Sequence, residues 1–296
     1  MADLEVDLEN VTEGLVHEIL GVMGLGRSNW AYRLMGPFFR LPARRMSKLL
    51  VNFNNETANH GWRAGSSLFL LNFIQNYRVT GVESVPEDGP LLIVSNHPAA
   101  YDVIILAASL PREDLKIIGS DISIIRPLHA IAPHFILVSW ETSTRIAATR
   151  AALRHLMEGG AVLTFPRGEV EPDAALFPGA VPDFEHWSPS LELLLRKVPQ
   201  TKTVISLVSG VLSGSWLKNP VIRIWRKPEQ RQKIAEIFQV IQQLFGSKDL
   251  KLDPIVSYSR PFTTDELGSL ETPPGTLLKG IIEQARILVS ELGQAH

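Results

Sequence analysis

Cysteine is absent from this 296-residue chain. Disulfides, thiolate metal sites and a cysteine nucleophile are therefore excluded, and redox chemistry on protein thiols goes with them. Long apolar runs are also missing: no stretch approaches the roughly 20 residues that a spanning helix needs. The opening Met-Ala-Asp-Leu-Glu-Val-Asp-Leu-Glu is acidic and lacks the basic start and apolar run of a signal peptide. The expectation is a cytoplasmic protein without a transmembrane segment. Charge imbalance is lacking too, since the formal net charge is −2, which offers no global basic field to a nucleic-acid partner. Any electrostatic message has to be local.

Several catalytic signatures are absent as well. His129 and His134 flank Ala-Ile-Ala-Pro without the spacing of a helical metal pair, and no H-E-x-x-H occurs, so no metal is expected. Gly-Val-Leu-Ser-Gly around Ser213 misses the G-x-S-x-G elbow by its first glycine, which disfavours a serine hydrolase. Gly21 to Gly26 has neither a preceding strand nor the glycine spacing of a phosphate or dinucleotide loop.

What is present begins with a local excess of positive charge. No acidic residue falls between Gly21 and Asn55, while Arg27, Arg33, Arg40, Arg44, Arg45 and Lys48 all do. A helix starting near Pro42 would put Met46, Leu49, Leu50 and Phe53 on one face and Arg44, Arg45 and Lys48 on the other. That pattern suits a helix lying at a membrane surface. It equally suits an amphipathic helix docked on the main domain with a solvated basic face. The apolar run Leu68 to Ile74 adds some weight to the membrane reading.

From about Tyr77 short apolar runs alternate with helical patterns. Leu91–Val94, Lys116–Ile118, Phe135–Val138, Ala161–Phe165 and Thr203–Val208 read as buried strands. Val103–Leu110, Arg145–Met157, Glu229–Phe245 and about Leu277–Leu292 read as helices. In Glu229–Phe245 the apolar side is Ile234, Ile237, Phe238, Ile241 and Phe245. Pro182 to Pro189 reads as a loop or insertion. The expected fold is α/β, with a mostly parallel central sheet covered by helices and an N-terminal helical segment. The expected division is a basic helical segment over 1–76 and an α/β domain over 77–296.

In such sheets the working residues gather at the carboxyl ends of the strands. Ser95 to Asp102, read S-N-H-P-A-A-Y-D, lies where a strand gives way to a helix. Across that turn an imidazole at His97 and a carboxylate at Asp102 can face each other, a general base with its orienting partner. The same spacing also suits a plain helix entry, with Asp102 at the positive end of the helix. A second stretch, F-P-R-G-E over Phe165 to Glu169, follows another strand. There Gly168 permits close backbone approach and Arg167 can bind a phosphate or carboxylate; the alternative is a tight turn with a surface Arg-Glu pair.

Taken in order, these motifs resemble the glycerolipid acyltransferase superfamily that includes lysophosphatidic acid acyltransferases. Its first motif, His-x4-Asp after Asn, is matched by Asn96, His97 and Asp102. Its third, F-P-E-G-T-R, aligns with Phe165, Pro166, Arg167, Gly168, Glu169 and Val170, and Phe177-Pro178-Gly179-Ala180 resembles a segment that often follows. The resemblance covers roughly Val79 to Phe262. It implies transfer of a fatty acyl group from acyl-coenzyme A or acyl carrier protein to a hydroxyl of a lipid precursor. By the same resemblance no metal and no resident cofactor are expected, and His97 would be the base with Asp102 its orienter. It further implies the acyl donor and a lipid acceptor as partners, to which the basic amphipathic segment adds a membrane lipid surface and a peripheral position on the cytoplasmic face of a membrane.

The chain departs from the pattern at definite positions. The third-motif Glu, Thr and Arg are Arg167, Glu169 and Val170 here. Around Phe135 and Ile136, where the second motif places an Arg shortly after the apolar pair, Val138, Ser139 and Trp140 stand instead, and the first guanidinium is Arg145, which is otherwise an exposed helix residue. The candidate substrate-binding residues are thus Arg145, Arg167, Gly168 and Glu169. The displaced arginines are those the family uses for the acceptor's phosphate, and Arg167 is the candidate to restore that charge. A lipid-binding protein without catalysis and an acyl-thioester hydrolase are the competing functions.

Overall fold

The computed structural model describes residues 6–26, 29–139, 141–177, 182–246, 250 and 252–294. Three helices come first, α1 (Leu8–Val22), α2 (Asn29–His60) and α3 (Trp62–Leu70). The sheet then alternates with helices: β1 (Arg78–Thr80), β2 (Leu91–Ser95), α4 (Tyr101–Ser109), β3 (Lys116–Ser120), β4 (Phe135–Val138), α5 (Thr142–Met157) and β5 (Ala161–Thr164). There follow α6 (Ser190–Lys197), β6 (Lys202–Ser209), the single turn α7 (Gly214–Leu217), α8 (Pro228–Leu244), β7 (Ile255–Tyr258), the short α9 (Thr264–Leu267) and α10 (Thr276–Gln294).

The strands form one seven-stranded sheet in the order β1-β7-β6-β2-β5-β3-β4. Every neighbouring pair is parallel except β6 with β7. Alternate side chains divide between two faces, as the period of a strand requires. Leu91 and Ile93 join a core with Phe53, Trp62, Phe73, Tyr101 and Ile105 from the α2, α3 and α4 side. Leu92 and Val94 join another with Ala152, Leu156, Leu195, Ile281 and Leu288 from α5, α6 and α10. Helices thus cover both faces, the arrangement that a run of fully buried strands demands.

All five expected strands and all four expected helices exist, with ends displaced by a few residues at most. Two strands were not foreseen. β1 has only three residues, two of them exposed, and β7 follows Asp253-Pro254 with four, so neither carries enough apolar sequence to stand out. The Pro182–Pro189 stretch contains a 3₁₀ turn over Phe184–His186, and Phe184 and Trp187 are buried beneath the sheet. It is a strap anchored by aromatics rather than a free loop.

Two helices differ from expectation in physically informative ways. α2 begins at Asn29 rather than near Pro42, and both Pro37 and Pro42 lie inside it. Met46, Leu49 and Leu50 pack against the main core beside buried Phe53, so that face docks on the domain. Its polar side is partly engaged: Arg40 is paired with Glu9 and Glu13, and Arg45 donates to the Leu244 carbonyl at 2.8 Å. The exposed apolar residues of α2 lie earlier, at Trp30, Leu34, Phe38 and Leu41, all more than half exposed. In α8 the fully buried residues include Gln232, Gln239 and Gln243, whereas Phe245, just past its end, is 46% exposed. Burial on this helix follows hydrogen bonding as much as hydropathy, because its neighbours are loop backbones with groups to satisfy.

Candidate active site

β2 is flanked by β6 and β5, so the carboxyl end of β2 meets the loops leaving both neighbours. Asn96 is buried there and bridges to β6 with both ends of its amide. Its Nδ2 donates to the Val208 carbonyl at 2.9 Å and its Oδ1 accepts from the Val208 N–H at 2.8 Å. That pair of hydrogen bonds pins the residue before His97 to the neighbouring strand.

His97 then faces Asp102 across the turn. The Nδ1 atom lies 2.9 Å from Oδ2 and 3.1 Å from Oδ1 of Asp102. Asp102 is fully buried in the first turn of α4, and its Oδ2 also accepts from the Ala99 N–H at 3.2 Å. A carboxylate can only accept, so the Nδ1 proton points at Asp102 and Nε2 keeps its lone pair. The ring is tilted against Phe165, 4.5 Å between centroids, which brings the F-P-R-G loop beside it. Burial disfavours the imidazolium. The charge and hydrogen bond of Asp102, with Glu236 and Glu171 beyond it, outweigh that cost and leave His97 above the ordinary histidine value.

The loop after β5 contributes two buried carboxylates that the sequence reading passed over. Glu171 clamps His97 by its backbone: the His97 N–H donates to Oε2 at 3.1 Å, and the Glu171 N–H donates to the His97 carbonyl at 2.8 Å. Its other oxygen accepts from the Asp183 N–H at 2.8 Å, joining the strap to the site. Asp173 accepts from the N–H groups of Gly210 at 2.8 Å, Val211 at 3.0 Å and Leu212 at 3.3 Å as the chain leaves β6, and from Ala175. Burial raises both carboxyls, and the donated N–H groups oppose the rise. Gly210 is needed at that exit. Its φ is +72°, and a Cβ there would lie 2.0 Å from the Asp253 carbonyl oxygen. The sequence signal for these acids was their alternation in E-V-E-P-D just past a strand end, where surface acids look the same.

The four expected substrate-binding residues are placed unequally. Arg167 stands two residues after Phe165, and its guanidinium is held by Glu169 at 2.9 Å and by Asp183 at 3.4 Å. Gly168 closes a turn with its N–H on the Phe165 carbonyl at 3.0 Å and has φ +74° with open space around it. Glu169 is exposed and Val170 is buried. Arg145 is exposed near the start of α5, after the edge strand β4, three strand positions from β2, or about 14 Å at ~4.8 Å a step. The structure therefore places Arg167, Gly168 and Glu169 in the loop whose Phe165 and Glu171 contact His97, and leaves Arg145 at the sheet margin. Trp140 and Pro178 to Ala180 lie outside the described residues.

In chemical terms the site offers a partly buried, oriented imidazole with its Nε2 free of Asp102, an aromatic wall and an acidic rim at the carboxyl end of a central strand. No curated protein sequence matches the chain. It is similar in structure to the crystal structure of the 1-acyl-sn-glycerophosphate (LPA) acyltransferase PlsC from Thermotoga maritima, at 14% identity and a TM-score of 0.48, over 96% of this chain and 97% of that one. The family model described as Acyltransferase matches residues 76–182, from just before β1 to the start of the strap, and thus spans His97, Asp102, Arg167 and Glu171. Over that stretch the chain is similar to the family described as Acyltransferase.

Proposed function

We propose that this protein is a lipid O-acyltransferase that moves a fatty acyl group from an acyl thioester, carried by coenzyme A or acyl carrier protein, to the hydroxyl of a lipid acceptor. The observation that carries the reading is the His97–Asp102 contact of 2.9 Å inside the matched acyltransferase stretch. Nε2 of His97 takes the proton of the acceptor hydroxyl as that oxygen attacks the thioester carbonyl, and Asp102 stabilises the imidazolium that forms. The tetrahedral adduct expels the thiolate, which receives the proton back from His97. The thioester arrives already activated, so no covalent enzyme intermediate is required.

The loop after β5 is acidic, with Glu169, Glu171 and Asp173. Arg167 is already matched by Glu169 and Asp183, and a phosphomonoester there would have to displace two carboxylates. This supports an acceptor whose hydroxyl is presented without a free phosphate beside it, such as a lysophospholipid with a neutral or zwitterionic head or a related alcohol.

The lipid acceptor is met at an anionic bilayer, with the protein held peripherally on the cytoplasmic face. Support comes from α2, where Trp30, Leu34, Phe38 and Leu41 recur at helical spacing on one exposed face. Arg33, Arg44 and Lys48 are exposed on the same helix. No helix among the described residues is long and apolar enough to cross a membrane. The test is mass spectrometry of lipids formed from acyl-coenzyme A or acyl carrier protein with a mixed acceptor pool. Acylated product with the wild type and none above background with His97→Ala is expected. Wild-type rates in His97→Ala overturn the mechanism. Donor loss independent of acceptor marks a hydrolase, and lipid binding without turnover marks a binding protein.

A further inference from the structure

A second carboxylate reaches the His97–Asp102 turn from a distant part of the chain, and the chemistry above does not use it. It belongs to a polar ridge on α8 made of Gln232, Glu236, Gln239 and Gln243, at spacings that share one helix face. The glutamines are buried and serve loop backbones. Gln232 Nε2 donates to the carbonyls of Pro98 and Glu171 at 2.5 and 2.7 Å. Gln239 accepts from the Ser213 N–H at 2.7 Å and donates to the Val211 carbonyl at 3.0 Å. Gln243 accepts from the Tyr101 hydroxyl at 2.7 Å and donates to the Phe73 carbonyl at 2.6 Å.

Glu236 is the charged member of the ridge. Its Oε1 accepts from the Ala100 N–H at 2.7 Å, and Ala100 is the residue preceding α4, where no side chain of its own turn supplies a cap. The segment from His97 to Asp102 is therefore held from outside at its midpoint, by Gln232 on Pro98 and Glu236 on Ala100. Among the described residues the groups acting on the Glu236 carboxylate include Asp102 and His97, with the Ala100 and Tyr101 N–H groups at the start of α4, and the Tyr101 hydroxyl feels the Glu236 charge in turn. Glu171 acts on the same imidazole from the β5 side.

Resting on the reading of His97 as the base, we propose that Glu236 is a positioning residue for the pair. It locks the Ala100 turn so that Asp102 meets Nδ1, and its charge joins that of Asp102 in favouring the imidazolium. Asp102 touches the ring, whereas Glu236 acts through the turn and through the field it sets up. The field is switchable. Burial, with the like charge of Asp102, pushes the Glu236 carboxyl up to about 7, against the pull of the Ala100 N–H, His97 and the Tyr101 N–H. Glu236 thus gains or loses its proton near neutrality, and because the His97 imidazole is among the groups acting on it, the two titrate as a coupled set. The loss of one proton strengthens the base that must work next to it.

Glu236→Gln keeps an oxygen for the Ala100 N–H and removes the charge. The readouts are an imidazole NMR titration of His97 in the full chain, assigned by comparison with His97→Gln, and the pH profile of kcat/KM for acyl transfer. In Glu236→Gln the His97 midpoint and the acid limb are expected to move to lower pH by roughly half a pH unit or more, since a negative neighbour is gone. The wild-type His97 curve is expected to be broader than a single ionisation. An unmoved midpoint in the folded variant overturns the proposal. If the variant does not fold, a wild-type His97 curve that fits one ionisation overturns it. The NMR readout needs no turnover, so absence of acyl transfer would reject the proposed function while the midpoint still decides the role of Glu236.

Discussion

Replacing Asp102 with Asn isolates the contribution of one buried charge to the reaction. The wild-type carboxylate is fully buried and holds Nδ1 of His97 at 2.9 Å. Its hydrogen bond is charge-assisted whenever His97 is protonated, which is the state formed as the acceptor loses its proton. Such bonds are worth about 1.5–3 kcal/mol, a factor of roughly 10 to 150 in rate if the loss falls wholly on the transition state. Asn adds a second penalty, because its amide can donate to Nδ1 and select the tautomer whose Nε2 carries the proton and cannot act as base. The expected fall in kcat is therefore about 10²–10³, with acceptor KM within about threefold, because the lost interaction is made in the transition state. Asn still offers an oxygen to the Ala99 N–H, so thermal stability should stay within a few degrees. Removal of the anion also lowers the His97 midpoint, moving the acid limb of the surviving activity to lower pH. Steady-state assays of the purified variant against His97→Ala check all of this. A folded Asp102→Asn enzyme that keeps kcat within about threefold of wild type would refute the orienting role.

Asp173→Ala tests the frame rather than the chemistry. It orphans three buried N–H groups at the β6 exit, which at ~1 kcal/mol or more each costs at least about 3 kcal/mol; urea titration of the unfolding midpoint measures it, and a loss below ~1 kcal/mol contradicts the account. The α2 stripe is tested by vesicle flotation with anionic liposomes. Trp30→Ser and Phe38→Ser should each weaken binding by roughly tenfold, from the ~1.5 kcal/mol or more that a buried large apolar side chain contributes. Charge removal at Arg44 and Lys48 should lower the salt sensitivity of binding, and binding indifferent to all four changes would sink the membrane reading.

Much of the architecture was legible because fully buried strands write their apolar runs plainly. β2, β4, β5 and β6 stood out as Val, Ile, Leu and Phe stretches between helical patterns. β1 and β7 did not, since a three-residue strand with two exposed positions gets its place from backbone pairing, which no side-chain pattern records. The start of α2 was misjudged because proline at a first helical turn is a good local rule, yet Pro37 and Pro42 both sit inside a longer helix.

The chemistry divides the same way. The order and spacing of Asn96, His97, Asp102 and Phe165 to Gly168 were enough, by themselves, to name the residue types, the family resemblance and a candidate base with its orienter. Local sequence determines these because the pair lies within one strand-to-helix turn, where five residues set the separation. What only the tertiary structure decided is everything that reaches the turn from far along the chain. Glu171 clamps His97 from the β5 loop, Asp173 binds the β6 exit, Arg167 is matched by Asp183 from the strap, and Glu236 arrives from α8, 136 residues beyond Ala100. Each is a polar side chain in a polar stretch of sequence, indistinguishable there from a solvated surface residue. Only the packing of α8, the strap and the strand ends around β2 removes water from them and converts their charge and hydrogen bonds into a site.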